Sequence, residues 1–191
     1  MNPQEIDNLS ENEIGKLFPI VLSKPNPKWK LLYKNEKKEL IERLGRYALR
    51  IEHIGSTAIP NILSKPTIDI LVEIPDNKEI ENQISTKMKS LGYYFVHRTD
   101  RKPPYLMFIK GVSVKGVTGQ TYHIHMAKKD HPIWDKVYFR DYLIQHQDLA
   151  IQYENLKCEL AKKHRNNRDG YTDGKKEFVM RITQEAKEKY E

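Results

Sequence analysis

The segment Thr67–Ile74, TIDILVEI, lies between Pro66 and Pro75 and constrains the fold more than any other stretch of the chain. Its β-branched and aliphatic residues predict a strand, and a proline at each end limits its length. Asp69 stands inside this apolar run. An unpaired buried charge is costly, so the carboxylate requires either a cationic partner or a function.

The surrounding pattern is α+β. Residues 1–18 read as an N-terminal extension with a short helix at Glu11–Leu17, residues 19–182 as the main domain, and residues 183–191 as the tail of the last helix. Prolines 19, 25 and 27 punctuate an extended stretch, Ile20–Ser23, that suits an edge strand. Trp29, Leu32, Tyr33, Leu40, Ile41 and Leu44 follow helical spacing, and Gly45 stops that helix. Ala48–Ile54 reads as a strand with Leu49, Ile51 and His53 on one face. Asp76 and Glu79 form a capping box for a helix whose stripe is Ile80, Ile84, Met88 and Leu91. Strands follow at Tyr93–Arg98, Tyr105–Lys110 and Thr121–Met126, the last two joined by the glycine-rich GVSVKGVTGQ. Trp134–His164 reads as one long helix, NNRDGYTDG breaks it, and Lys175–Lys189 forms the final helix. The expectation is one mixed β-sheet flanked by helices, with a C-terminal helical segment.

Composition removes several function classes. With 191 residues, a single domain is the natural prior. No apolar run approaches the roughly 20 residues that span a bilayer, and MNPQEIDNLS has no signal-peptide core. A lone cysteine, Cys158, makes neither an intrachain disulfide nor a cysteine metal site. The chain is therefore read as cytoplasmic, without membrane association. Thirty-three Lys+Arg against 26 Asp+Glu give a net charge of +7, which suits a partner carrying phosphates. The lysines are interleaved with glutamates on helices, as in KNEKKELIERL, and no nucleic-acid motif accompanies them, so RNA binding is the weakest reading.

Chemistry concentrates in IEHIGSTAIPNILSKPTIDILVEI, residues 51–74. Gly55 permits close backbone approach, and Ser56, Thr57 and the neighbouring amides are donors for phosphate oxygens. Asp69 on the next strand would hold a divalent metal bridging those phosphates. Equally, Gly55 and Ser56 make a tight turn, and Asp69 pairs with Lys65, Arg140 or a histidine. EHIGSTAIPNILSKPTIDILV, HIHM, and the downstream YFRDYL, YENLKCELA and YTDGKKEFV closely resemble the GrpB family, within the nucleotidyltransferase superfamily, over about Val21 to Met180. The resemblance implies a nucleotidyltransferase-like α+β fold, in a family that includes a domain attached to dephospho-CoA kinase in some bacteria.

It also implies two acidic residues at alternate positions on the metal-binding strand. Here Asp69 holds the first and Leu71 the second. Glu73 shares that face but lies roughly 13 Å along the strand, too far for a shared ion. Where a third carboxylate is expected, the chain has His123 and His125, about 6.6 Å apart on one face. Asp69 with two imidazoles suits Zn²⁺, Mn²⁺ or Fe²⁺ better than Mg²⁺. His53, Lys65, Arg140, Tyr171 and Lys175 complete the candidate site, with Lys65, Arg140 and Lys175 as phosphate ligands. Metal-dependent nucleotidyl transfer from an NTP to an unidentified acceptor is one expectation. A non-catalytic domain that binds a nucleotide or phosphorylated metabolite is the other.

Overall fold

The computed structural model describes residues 6, 8–96 and 102–190. Five strands form one mixed sheet: β1 (Arg50–Ile54), β2 (Thr67–Glu73), β3 (Tyr94–Val96), β4 (Leu106–Ser113) and β5 (Gly116–Ala127). Their spatial order is β1-β2-β5-β4-β3. β2 pairs antiparallel with β1 and parallel with β5, while β4 pairs antiparallel with both β5 and β3. The proline-bounded strand is thus interior, as its apolar composition requires.

Side-chain alternation divides the sheet into two unlike faces. Ile68, Ile70 and Val72 of β2 join Tyr122, Ile124 and Met126 of β5 in the main core. Two helices, α2 (Lys28–Leu44) and α3 (Lys78–Ser90), cover that face with Leu40, Leu44, Ile84 and Met88, all at most 1% exposed. At roughly 25 cal/mol per Å² of apolar surface, such burial is the main source of stability. The opposite face carries Asp69, Leu71, His123 and His125, because these alternate with the core residues.

That second face is roofed by the C-terminal helices. These are α4 (Asp135–Gln145), α5 (Gln147–Lys163), α6 (Arg168–Asp173) and α7 (Lys176–Tyr190); an N-terminal helix, α1 (Glu11–Leu17), precedes the domain. Ile59 and Ile62, from the link between β1 and β2, pack with Phe139, Leu143, Tyr153 and Ile182. The link is therefore anchored to the helical layer.

Several local expectations shift. The α3 cap is Asn77, not Asp76: Asn77 is extended, and its side chain accepts from the Glu79 amide at 2.8 Å. Asp76 instead faces Lys128 at 3.0 Å. Ile20–Ser23 contributes a single bridge, Ser23 to Ser64, rather than a strand. Leu49 lies outside β1 and is 57% exposed, whereas Ile51 is buried. The helix expected over Trp134–His164 breaks at His146, with neither proline nor glycine. There φ is −122° and ψ 82°, and the His146 ring stacks on Tyr142 with Nδ1 2.7 Å from the Tyr142 carbonyl. Breaking there brings Leu143 of α4 and Ala150 of α5 into one apolar cluster with Ile182. The strand expected over Tyr93–Arg98 is seen as β3, and residues 97 and 98 lie outside the described residues.

Candidate functional site

A cavity of about 1180 Å³ lies between the polar sheet face and the helical roof. Gly55, Ser56, Thr57, Lys65, Asp69, His123, His125, Tyr171 and Lys175 all line it, whereas His53 and Arg140 do not. Residues 120 positions apart in sequence meet because β1, β2 and β5 are adjacent. Ile54 lies opposite Asp69, and Asp69 opposite His123.

The turn after β1 is built around the Asp69 carboxylate. Gly55 has φ +72° and ψ −177°, and a Cβ there would sit 2.5 Å from Asp69 Oδ2. Glycine is therefore required by contact with Asp69 itself, as well as by the backbone conformation. The Thr57 hydroxyl donates to the Thr67 carbonyl at 3.0 Å and lies 3.1 Å from His53 Nε2. Those bonds commit Thr57 to bracing the turn. His53 stacks on Tyr33 at 4.7 Å, and burial chiefly pushes its pKa down to about 4. Ser56 and Tyr153 of α5 both line the cavity. Farther along the link, Glu154 and Lys157 of α5 grip the Leu63 amide and carbonyl respectively. Helix α5 thus positions the whole segment that carries Ser56 and Lys65.

Asp69 keeps 27% of its side-chain surface exposed. Its Oδ1 lies 3.3 Å from His123 Nδ1 and 3.7 Å from His125 Nε2. Burial would raise its pKa, but the hydrogen bonds and charges of the two histidines outweigh burial and hold it well below the usual carboxylate range. Burial pushes His125 down to about 4, assisted by Lys136 and opposed by Asp69, so its ring is neutral near pH 7. Its Nδ1 is buried without a hydrogen-bond partner. The expected trio therefore does assemble, but around one shared carboxylate oxygen. Among the described residues, no three His, Cys, Asp or Glu side chains are set out to hold one metal ion.

Cations dominate the rest of the floor. Burial first, then repulsion from Arg168 and Lys175, lowers Lys65 to about 7 against the attraction of Asp69. Lys175 is lowered to about 8, mainly by burial and further by Lys136 and Arg168. Tyr171, only 1% exposed, lies between these two ammonium groups, 5.4 Å from Lys65 Nζ and 4.3 Å from Lys175 Nζ. Its ring faces supply cation–π attraction that partly offsets the crowding. Arg168 and Lys136 also line the cavity, and sequence reasoning missed both. Arg168 lies in NNRDGYTDG, three residues before Tyr171, within a stretch taken only as a helix breaker.

Arg140 has another task. Its guanidinium bonds to Glu52 at 2.9 Å, to Asp141 at 2.7 Å and to the His53 carbonyl at 2.7 Å. It ties α4 to β1 away from the cavity lining, with Nε and Nη1 already engaged. Sequence spacing could not show that Glu52 would reach it across 88 residues.

Residues 19–185 match the family model described as "GrpB protein". The chain belongs to the GrpB family. It is 34% identical over 169 residues to the Glutamate-rich protein GrpB of Alkalihalophilus pseudofirmus, covering 87% of this chain and 95% of that protein. It is 23% identical over 203 residues to a dephospho-CoA kinase of Mycobacterium bovis, covering 94% of this chain and 48% of the kinase. Among solved structures, the conserved protein GrpB from Enterococcus faecalis superposes with a TM-score of 0.77 at 29% identity, covering 89% of this chain and 99% of that one. The architecture of the GrpB family is thus the architecture of this chain. Among the described residues, no helix is long and apolar enough to cross a membrane.

Proposed function

We propose that the cavity binds a nucleotide or another phosphorylated small molecule, in a domain of nucleotidyltransferase-like architecture. One observation carries this reading. Lys65, Arg168 and Lys175 are half-buried in one cavity, burial lowers all three, and repulsion from neighbouring cations lowers Lys65 and Lys175 further. Crowded cations are costly when empty and favourable when a polyanion arrives, so the arrangement is built for a phosphate-rich ligand. The Gly55–Ser56 turn faces the same space. The likeness to a dephospho-CoA kinase supports a phosphate-bearing partner of small size.

Nucleotidyl transfer is the second reading, and Asp69 favours it. An ionised carboxylate would stand beside bound phosphates only at a cost, unless it served a purpose there. In this reading Asp69 is the catalytic carboxylate, and a divalent ion (Mg²⁺, Mn²⁺ or Zn²⁺) arrives with the nucleotide rather than residing in the protein.

Thermal-shift titration with ATP, with and without each metal, separates the two when Asp69→Asn is run in parallel. A ligand at about 100 Kd stabilises by roughly 2.7 kcal/mol, which is readily detected. For a binder, ATP stabilises the protein without metal, Asp69→Asn tightens binding severalfold by removing a negative charge, and no pyrophosphate appears. For a transferase, stabilisation requires metal, Asp69→Asn abolishes it, and wild type releases pyrophosphate. If no nucleotide or phosphate ester stabilises the protein under any condition, the phosphate reading is wrong.

A further inference from the structure

The cationic floor is only part of the cavity. Part of its exposed rim is aliphatic: beside the charged Lys102, Asp169 and Lys176, the residues Val21, Val117 and Met180 line it and are 49%, 63% and 60% exposed. A single exposed aliphatic residue is ordinary, but three from separate elements around one opening are not. They come from the stretch after Pro19, the β4–β5 hairpin and α7. Ile14 and Phe18, both half-buried, extend the same wall. The N-terminal extension therefore furnishes part of the cavity.

The two regions are physically joined. Arg168, at the floor, donates to the Phe18 carbonyl at 2.9 Å. The following residues are pinned by the Ile20 amide on the Arg165 carbonyl at 2.7 Å and by the Ser23–Ser64 bridge. These contacts hold Val21 in place at the opening. Size points the same way: about 1180 Å³ exceeds the roughly 300–1,000 Å³ of an ordinary small-ligand pocket.

We infer that the mouth binds an aliphatic group, held next to phosphates seated on Lys65, Arg168 and Lys175. This inference rests on the phosphate reading of the floor and adds the chemical class of what lies beside it. The group belongs either to the phosphate ester itself, making one amphipathic ligand, or to a separate acceptor bound beside a nucleotide.

The test is a chain-length series measured by calorimetry: butyl, hexyl and octyl phosphate below their micelle concentrations, with ATP as the floor control. A second arm titrates butanol, hexanol and octanol into protein saturated with ATP. Full burial of a methylene is worth about 0.8 kcal/mol, or about fourfold in affinity; a half-open wall should give about twofold, so butyl to octyl should gain about 16-fold. Val117→Ser with Met180→Ser, both at exposed positions that the fold does not need, should flatten that gain to under about fourfold and leave ATP binding within about twofold. A steep phosphate series assigns the group to the ester, and a steep alkanol series assigns it to a separate acceptor. If ATP binds while both series are flat, the aliphatic site is refuted and the phosphate reading stands. If neither ATP nor any alkyl phosphate binds, both fail. A steep series that the double variant does not change places the aliphatic contact elsewhere. A variant that instead alters the oligomeric state by light scattering makes the patch an interface between copies. Either result overturns the inference.

Discussion

Binding of ATP to the cationic floor should draw protons from solution. Lys65 and Lys175 are held at about 7 and about 8, far below an ordinary lysine, by burial and by neighbouring cations. At pH 7.5 Lys65 is then about one-quarter protonated and Lys175 about three-quarters, so the pair carries about one proton of a possible two. Phosphates stabilise the ammonium forms and raise both values, filling the remaining places. The expected uptake is about one proton per ATP, about three-quarters of it at Lys65. Affinity should fall about tenfold per unit as pH rises past 7.5, and faster nearer 9. Above pH 7.5 the ligand's terminal phosphate is already ionised, since its second pKa is about 6, so the signal comes from the protein. Calorimetry in buffers of contrasting ionisation enthalpy measures the uptake directly. Lys65→Met should remove most of it and Lys175→Met the smaller share. Tight ATP binding with uptake below about 0.3 proton, or with affinity constant from pH 7 to 9, would refute the electrostatic argument. Without ligand, the same depression disfavours the folded state. For Lys65 the penalty is fully present below about pH 7 and fades as pH rises towards 10.5, because the unfolded chain binds the proton more tightly.

Two further outcomes test the architecture around the cavity. Gly55→Ala should destabilise the protein by about 2–3 kcal/mol, because alanine is strained at φ +72° and its Cβ displaces the Asp69 carboxylate. Calorimetric melting should fall by about 4–10 °C, and an unchanged transition would show that the turn is not set as described. Arg140→Met should cost about 1–3 kcal/mol by removing its bonds to Glu52, Asp141 and the His53 carbonyl, although Arg50 still pairs with Glu52, and should leave ATP affinity unchanged within about twofold. A loss of ATP binding in that variant, without loss of fold, would return Arg140 to the phosphate site.

Much of this molecule is written locally. Prolines 66 and 75 bound a strand wherever the chain places them, and alternation puts Asp69, His123 and His125 opposite their apolar neighbours. The stripe Ile84–Met88 needs only a 3.6-residue period to reach the core, and Gly45, at φ +57°, ends α2 as its lack of a Cβ permits. These are short-range consequences of sterics and hydrophobicity, and they reveal the sheet, the polar face and most of the residues on it.

Long-range placement was not legible in the same way. Arg140 and Lys175 looked alike as candidate phosphate ligands, but Glu52 captures one while the other faces Tyr171. Thr57 and His53 flank the same turn, and only packing commits them to each other. The break at His146 arises because both halves of the helix bury apolar residues against α7, which no helical period foretells. Arg168 became a floor residue, and an apparently separate N-terminal extension became a cavity wall. Sequence sets which groups each segment presents, through interactions spanning a few residues. Which groups meet depends on how whole elements exclude water together, and burial and neighbouring charge then set the ionisation of Lys65, Asp69 and Lys175.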